Sequence, residues 1–132
     1  MVMQLIRRRR GQALVELALV LPVLLLILFG IVEFGRIFHA YLVIANAARV
    51  GAREGAITND DTDIKDAVRT AADHSLDLNR LSIAISPDPA NRNKGDSLTV
   101  EVDYDVEVFA PIIAQLVPDP FPINSTMVMR IE

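Results

Sequence analysis

From Ala13 to Val32 the chain runs about 20 residues with Glu16 as its only charge, and a helix of that length, at about 1.5 Å per residue, crosses a hydrocarbon core about 30 Å thick. The run is too continuously apolar to leave a polar face for water, so it predicts a transmembrane helix. Arg7, Arg8, Arg9 and Arg10 stand directly before it and place the N-terminus in the cytoplasm, with everything after Val32 outside. The competing reading is a secretory signal peptide, whose apolar region spans about 7 to 15 residues before a nearby A-x-A site. Here the run is longer, and the best such match, Ala45-Asn46-Ala47, lies well beyond its end. Pro22 removes a backbone donor inside the helix and predicts a kink or a loosened turn, which neighbouring helices can cover in a membrane.

The anchor leaves room in 132 residues for one small domain, which has to fold without disulfides because there is no cysteine. The net charge of −4 conceals a division. Residues 1–53 carry seven Arg against Glu16 and Glu33, or +5, whereas residues 54–132 carry six Lys or Arg against fifteen Asp or Glu, or −9. A basic front and an acidic folded part argue against nucleic acid as the partner of that part.

Beyond Glu33 the pattern becomes periodic. Phe34, Ile37, Phe38, Tyr41, Ile44, Ala45, Ala48 and Ala52 recur at intervals of three and four, the face of a helix that continues outside the membrane. Gly51 and Gly55, with Ala47 below them, put small residues four apart and permit close backbone approach. That approach serves either the chain's own sheet or a second subunit. Thr58-Asn59-Asp60-Asp61 ends the helix, and Asp60, Asp61 or Thr62 caps the next, which runs to about His74 on Ile64, Ala67, Val68, Ala71 and Ala72. Alternation predicts strands over 81–85, 98–108 and 121–132. The expected fold is α+β: a long transmembrane-plus-stalk helix packed on a small antiparallel sheet with one short extra helix. Its parts are a transmembrane helix at 12–33, an amphipathic stalk at 34–57 and an extracytoplasmic domain at 58–132.

Arg7-Arg8-Arg9-Arg10-Gly11, then Gln12-Ala13-Leu14-Val15-Glu16, then an apolar helix continuing into FGIVEFGRIFHAYLVIANAARVGAREGA, resembles the TadE-like family of bacterial minor pilins and pseudopilins of tight-adherence (Flp-type) pilus systems. The resemblance covers about Arg7 to Ala56. It implies a type IV pilin-like architecture and a cytoplasmic leader, residues 1–11, removed by a membrane-embedded prepilin peptidase between Gly11 and Gln12, so that Glu16 becomes the fifth mature residue. Leu17 follows Glu16 where major Flp pilins tend to carry tyrosine, which points to a minor subunit. The chemistry is consistent with these residue types. Glycine gives a protease access to bare backbone. Cleavage frees an α-amino group with a pKa near 7.7 to 8.0, and Glu16 lies about 6 Å along the helix from it. A carboxylate at mid-membrane costs about 2.5 to 3.5 kcal/mol and less near an interface, so a partner ammonium on a neighbouring subunit would offset it and help set register. Glu16 at the headgroup level, facing the helix N-terminus, is the plainer alternative.

Thr99, Glu101, Asp103, Asp105 and Glu107 share the outer face of the second strand, where alternate carboxylates repel rather than converge on a metal. A solvated face is expected there, with calcium at that face, or at Asp88 and Asp96, the lesser reading. His39 and His74 have no nucleophile or ligand spacing around them, and no phosphate loop or zinc motif is present. No enzymatic activity, cofactor or metal is expected. The implied partners are the peptidase, other pilin or pseudopilin subunits, the Tad inner-membrane assembly platform and membrane lipid, for a single-pass inner-membrane protein that can enter a pilus. The alternative is an uncleaved signal-anchored envelope protein with an extracellular ligand-binding domain.

Overall fold

The computed structural model describes the backbone of residues 2–132 and the side chains of residues 11–132; the side chains of Arg7, Arg8, Arg9 and Arg10 lie outside what is described. One helix, α1 (Val2–Thr58), carries the apolar run and the periodic segment above it without a break and continues through Pro22. No residue from Gly11 to Val32 is buried by the rest of the chain. The helix stops where left-handed backbone becomes available: Asn59 takes a φ of 54°, and its N–H closes the last turn onto the Gly55 carbonyl at 3.0 Å. Asp60 then starts α2 (Asp61–Ala72), its carboxylate accepting from the backbone N–H of Thr62 at 2.7 Å and of Asp63 at 3.4 Å. Those two donors, Thr62 first, hold the Asp60 carboxyl below its ordinary pKa of 3.8.

Three strands follow, β1 (Leu81–Ser86), β2 (Ser97–Val106) and β3 (Phe121–Arg130), in an antiparallel sheet with β2 at the centre. The layout is the expected α+β. The even positions of β2, from Leu98 to Val106, are all buried, because the central strand turns one side to the helices. They meet Ile44, Ala47, Ala48 and Ala52 of α1 and Ile64, Val68 and Ala72 of α2 in a single core. The C-terminal residues fasten the sheet back to the helix: the Glu132 N–H donates to the Ala56 carbonyl at 3.0 Å.

Helix and central strand run side by side in opposite directions. Leu98 lies against Gly55 near the top of the helix, and Phe109 is hydrogen-bonded to Glu33 near its base. Eleven residues of extended chain span about 36 Å. Twenty-two residues of helix span about 33 Å, so β2 and the residues after it traverse the stalk and leave the following segment at the end next to the apolar run.

Candidate assembly site along the first helix

The stalk divides into two faces with opposite fates. Gly51 and Gly55 are buried beneath the chain's own elements: a Cβ on Gly51 would come within 2.3 Å of Val68 Cγ2, and one on Gly55 within 2.3 Å of Leu98 Cδ2 and 2.6 Å of Ile64 Cδ1. The close approach is therefore internal, and these glycines are not available to a second subunit, which corrects that reading of their spacing. The row of apolar residues also splits. Ile44, Ala48 and Ala52 are in the core, but Phe34, Phe38 and Tyr41 face outward, Phe34 with 71% of its surface exposed. Phe34 and Phe38 stack with ring centroids 6.4 Å apart, and exposed Leu42 continues the stripe. This stripe extends the bare surface of the anchor upward without interruption.

At the other end, Gly11 sits in helical backbone, and among the described residues a Cβ there would meet no atom within 4 Å beyond its chain neighbours and its own helix backbone. Among the described residues neither packing nor backbone geometry requires glycine there, although glycine costs a helix about 1 kcal/mol relative to alanine. Gln12 donates from Nε2 to Glu16 Oε1 at 3.3 Å, one turn on, with both side chains exposed. The carboxylate thus has a neutral partner within its own chain.

Glu33, seventeen residues and about 26 Å up the helix from Glu16, is the feature that sequence reasoning did not single out. Only 4% of it is exposed. Its Oε1 accepts from the Phe109 backbone N–H at 2.7 Å and from Arg36 Nη1 at 3.0 Å, and its Oε2 from the same Nη1 at 3.2 Å. The Arg36 guanidinium lies 4.0 Å from the centre of the Phe109 ring. A signal existed in the i, i+3 spacing of Glu33 and Arg36, but the third member is 76 residues away.

Above this cluster an open groove of about 460 Å³ is lined by Arg36, His39, Leu76, Arg80, Tyr104 and Glu107, among others. Its arginines are engaged, Arg36 by Glu33 and Arg80 by Glu107 at 2.8 Å and Asp77 at 3.9 Å. The groove therefore offers no unpaired guanidinium to an anion. On the outer face of β2, Asn124 Nδ2 donates to Glu101 Oε1 at 2.6 Å and Asp103 Oδ1 at 2.7 Å, relieving two of the stacked carboxylates with a neutral donor. In the β1–β2 connection, Arg92 has no exposed side-chain surface; its Nε donates to the Pro87 carbonyl at 2.7 Å and its Nη2 stands 2.5 Å from Asp61 Oδ1.

Residues 11–53 match the family described as TadE-like protein. This segment is TadE-like. It begins at the glycine singled out from the sequence, holds Glu16, Pro22 and Glu33, and ends within the small-residue part of the stalk. The TadE-like family implies a Tad pilus-associated protein, and the apolar N-terminal helix is compatible with a single pass through the membrane. Comparison with curated proteins and with solved structures yields no significant match.

Proposed function

We propose that this TadE-like chain is a minor pilin or pseudopilin. A prepilin peptidase cleaves it between Gly11 and Gln12, and it joins or primes a Tad (Flp-type) pilus, or a related secretion machine, by packing its helix against those of other subunits. The outward stripe of Phe34, Phe38 and Tyr41 carries the reading. A stalk helix that has already filled its inner face with its own domain still presents aromatic surface directly above the span, and contiguous exposed apolar surface of this kind marks an interaction site. Gly11 supports the processing step, since nothing among the described residues asks for glycine there. Arg7, Arg8, Arg9 and Arg10 hold that bond on the cytoplasmic side.

In this role the subunit is structural and works without a cofactor. Glu16 contributes register: after cleavage its intrachain donor is the side chain of the new first residue, and the ammonium of a neighbouring subunit competes for the same carboxylate. Pro22 leaves the Ala18 carbonyl without its helical donor and gives the packed helices a place to adjust. The partners are the peptidase, the other pilins and the Tad inner-membrane platform, with the C-terminal domain outside.

N-terminal mass spectrometry of the membrane-extracted protein from cells holding the peptidase tests this most directly. A chain starting at Gln12, free or cyclised with loss of ammonia, is expected, and Gly11→Trp should abolish it. An intact Met1 would sink the proposal in favour of an uncleaved signal-anchored envelope protein. Glu16→Ala should be processed normally yet recovered in assembled material at reduced yield; full recovery would remove the register role.

A further inference from the structure

The segment between β2 and β3 carries no charge from Val108 to Pro118, in a domain that is otherwise strongly acidic. It folds on itself around a short 3-10 turn at Ile113–Gln115, with the Ala114 N–H donating to the Ala110 carbonyl at 2.9 Å and the Val117 N–H to the Ile113 carbonyl at 3.1 Å. This turn leaves its large side chains outside the core: Phe109 is 67% exposed, Ile112 50% and Leu116 74%. The loop's height is set by the anchor helix itself, through the bond from the Phe109 N–H to Glu33. Ala110 and Pro111 share a recess of about 210 Å³ with Phe29 and Val32, which belong to the apolar run.

We propose that residues 109–117 are a second membrane contact, inserting Phe109, Ile112 and Leu116 into the outer-leaflet interface of a phospholipid bilayer beside the helix. The inference rests on the reading of residues 13–32 as the membrane span, and it adds an orientation. A single helix leaves the domain free to tilt and to rotate about the bilayer normal; a loop touching the surface on one side restricts the tilt. The occupant is lipid because the loop is fixed at the level where the span ends. Hydrocarbon and headgroups begin there whatever subunits are nearby, and apolar side chains reach about 5 to 10 Å into that boundary in interfacial elements. Glu107 and Asp119 flank the uncharged stretch, as expected if only the segment between them enters the interface.

The absence of cysteine makes the test clean. Full-length chains carrying Leu116→Cys, Val20→Cys or Val128→Cys are labelled with an environment-sensitive fluorophore. They are reconstituted at low density in phosphatidylcholine and phosphatidylglycerol vesicles, with and without a lipid bearing a nitroxide near the headgroup. The Leu116 site is expected to show blue-shifted emission and strong quenching by the nitroxide lipid. Val128, exposed on β3, should stay aqueous and unquenched. Aqueous, unquenched emission at Leu116 while Val20 is in lipid would overturn the proposal and leave the span intact. Aqueous emission at Val20 would bring down the membrane reading and the loop's role with it. Protection at Leu116 that disappears on diluting the protein with more lipid would identify contact with a second copy and also overturn it. Ile112→Cys repeats the measurement should Leu116→Cys fail to fold, as judged by circular dichroism.

Discussion

Glu33 is surrounded by groups that need it. Removing the carboxylate strips an acceptor from a backbone N–H and a counter-ion from Arg36. A buried donor left without a partner costs about 1 to 3 kcal/mol, and Glu33→Ala should lose roughly that much in local stability. The place to look is the Phe109 amide, whose hydrogen exchange should accelerate while amides in the centre of β2 keep their protection; unchanged exchange at Phe109 would contradict the anchoring role. Asp60 yields a prediction in pH. Its folded pKa is lowered by the N–H groups of Thr62 and Asp63, so its contribution to stability is complete above the ordinary value of 3.8 and is lost as pH falls through the depressed folded value. Asp60→Asn keeps an acceptor at the cap and should flatten that part of the stability profile at acid pH. Asp60→Ala should lower stability at neutral pH as well.

At the scale of elements, the union of α1, α2 and β2 depends on having no side chain at two positions. A methyl group on Gly55 would be under 3 Å from Leu98 Cδ2 and from two Ile64 carbons, and neither of those core residues has exposed surface into which to retreat. Overpacking of this sort costs about 1 to 3 kcal/mol, so Gly55→Ala should lower the thermal midpoint in detergent, against the usual gain from glycine to alanine in a helix. Gly30→Ala and Gly35→Ala, with open space at the same position, should not. The elements themselves were legible in advance. Strands expected at 81–85, 98–108 and 121–132 are found at Leu81–Ser86, Ser97–Val106 and Phe121–Arg130, because alternation with one buried face is a local property of β structure. β2 stops two residues short of the expected end: at Val108 and Phe109 the backbone N–H groups turn away from the sheet ladder, to Asp119 at 3.2 Å and to Glu33. No local pattern announces such an exchange of partners.

For the whole molecule, inner and outer surfaces of one helix do different work, and they can be separated by mutation. Phe38→Asp changes an exposed side chain away from the core, so its effect on the domain's unfolding free energy should stay within about 0.5 kcal/mol. If the stripe packs against other subunits, the same change should remove the chain from assembled pili or from complexes pulled down with partner pilins. Wild-type recovery would show that assembly uses another face. Arg92 makes the complementary case for an interior tie. Truncating one side of a buried charge pair costs about 3 to 5 kcal/mol, and the partly exposed Asp61 moderates that, so Arg92→Ala should destabilise the domain and free the 87–96 connection to proteolysis.

Residue order alone determined the apolar run, the helix that continues from it, the strands, and the TadE-like match over residues 11–53. Each of these rests on interactions within one or two turns or on a period of two, and composition along a short window carries that information. Which face of the stalk turned inward was decided only in three dimensions. Small residues and aromatics both satisfy a helical period, and the sheet accepted alanines and glycines because β2 and α2 must approach the backbone closely, leaving the bulkier Phe34, Phe38 and Tyr41 outside. The pairing of Glu33 with a loop 76 residues later belongs to the same class. It exists because the run from Leu98 to Phe109, about 36 Å if extended, and a helix of about 33 Å are matched in length, which brings the end of one to the foot of the other.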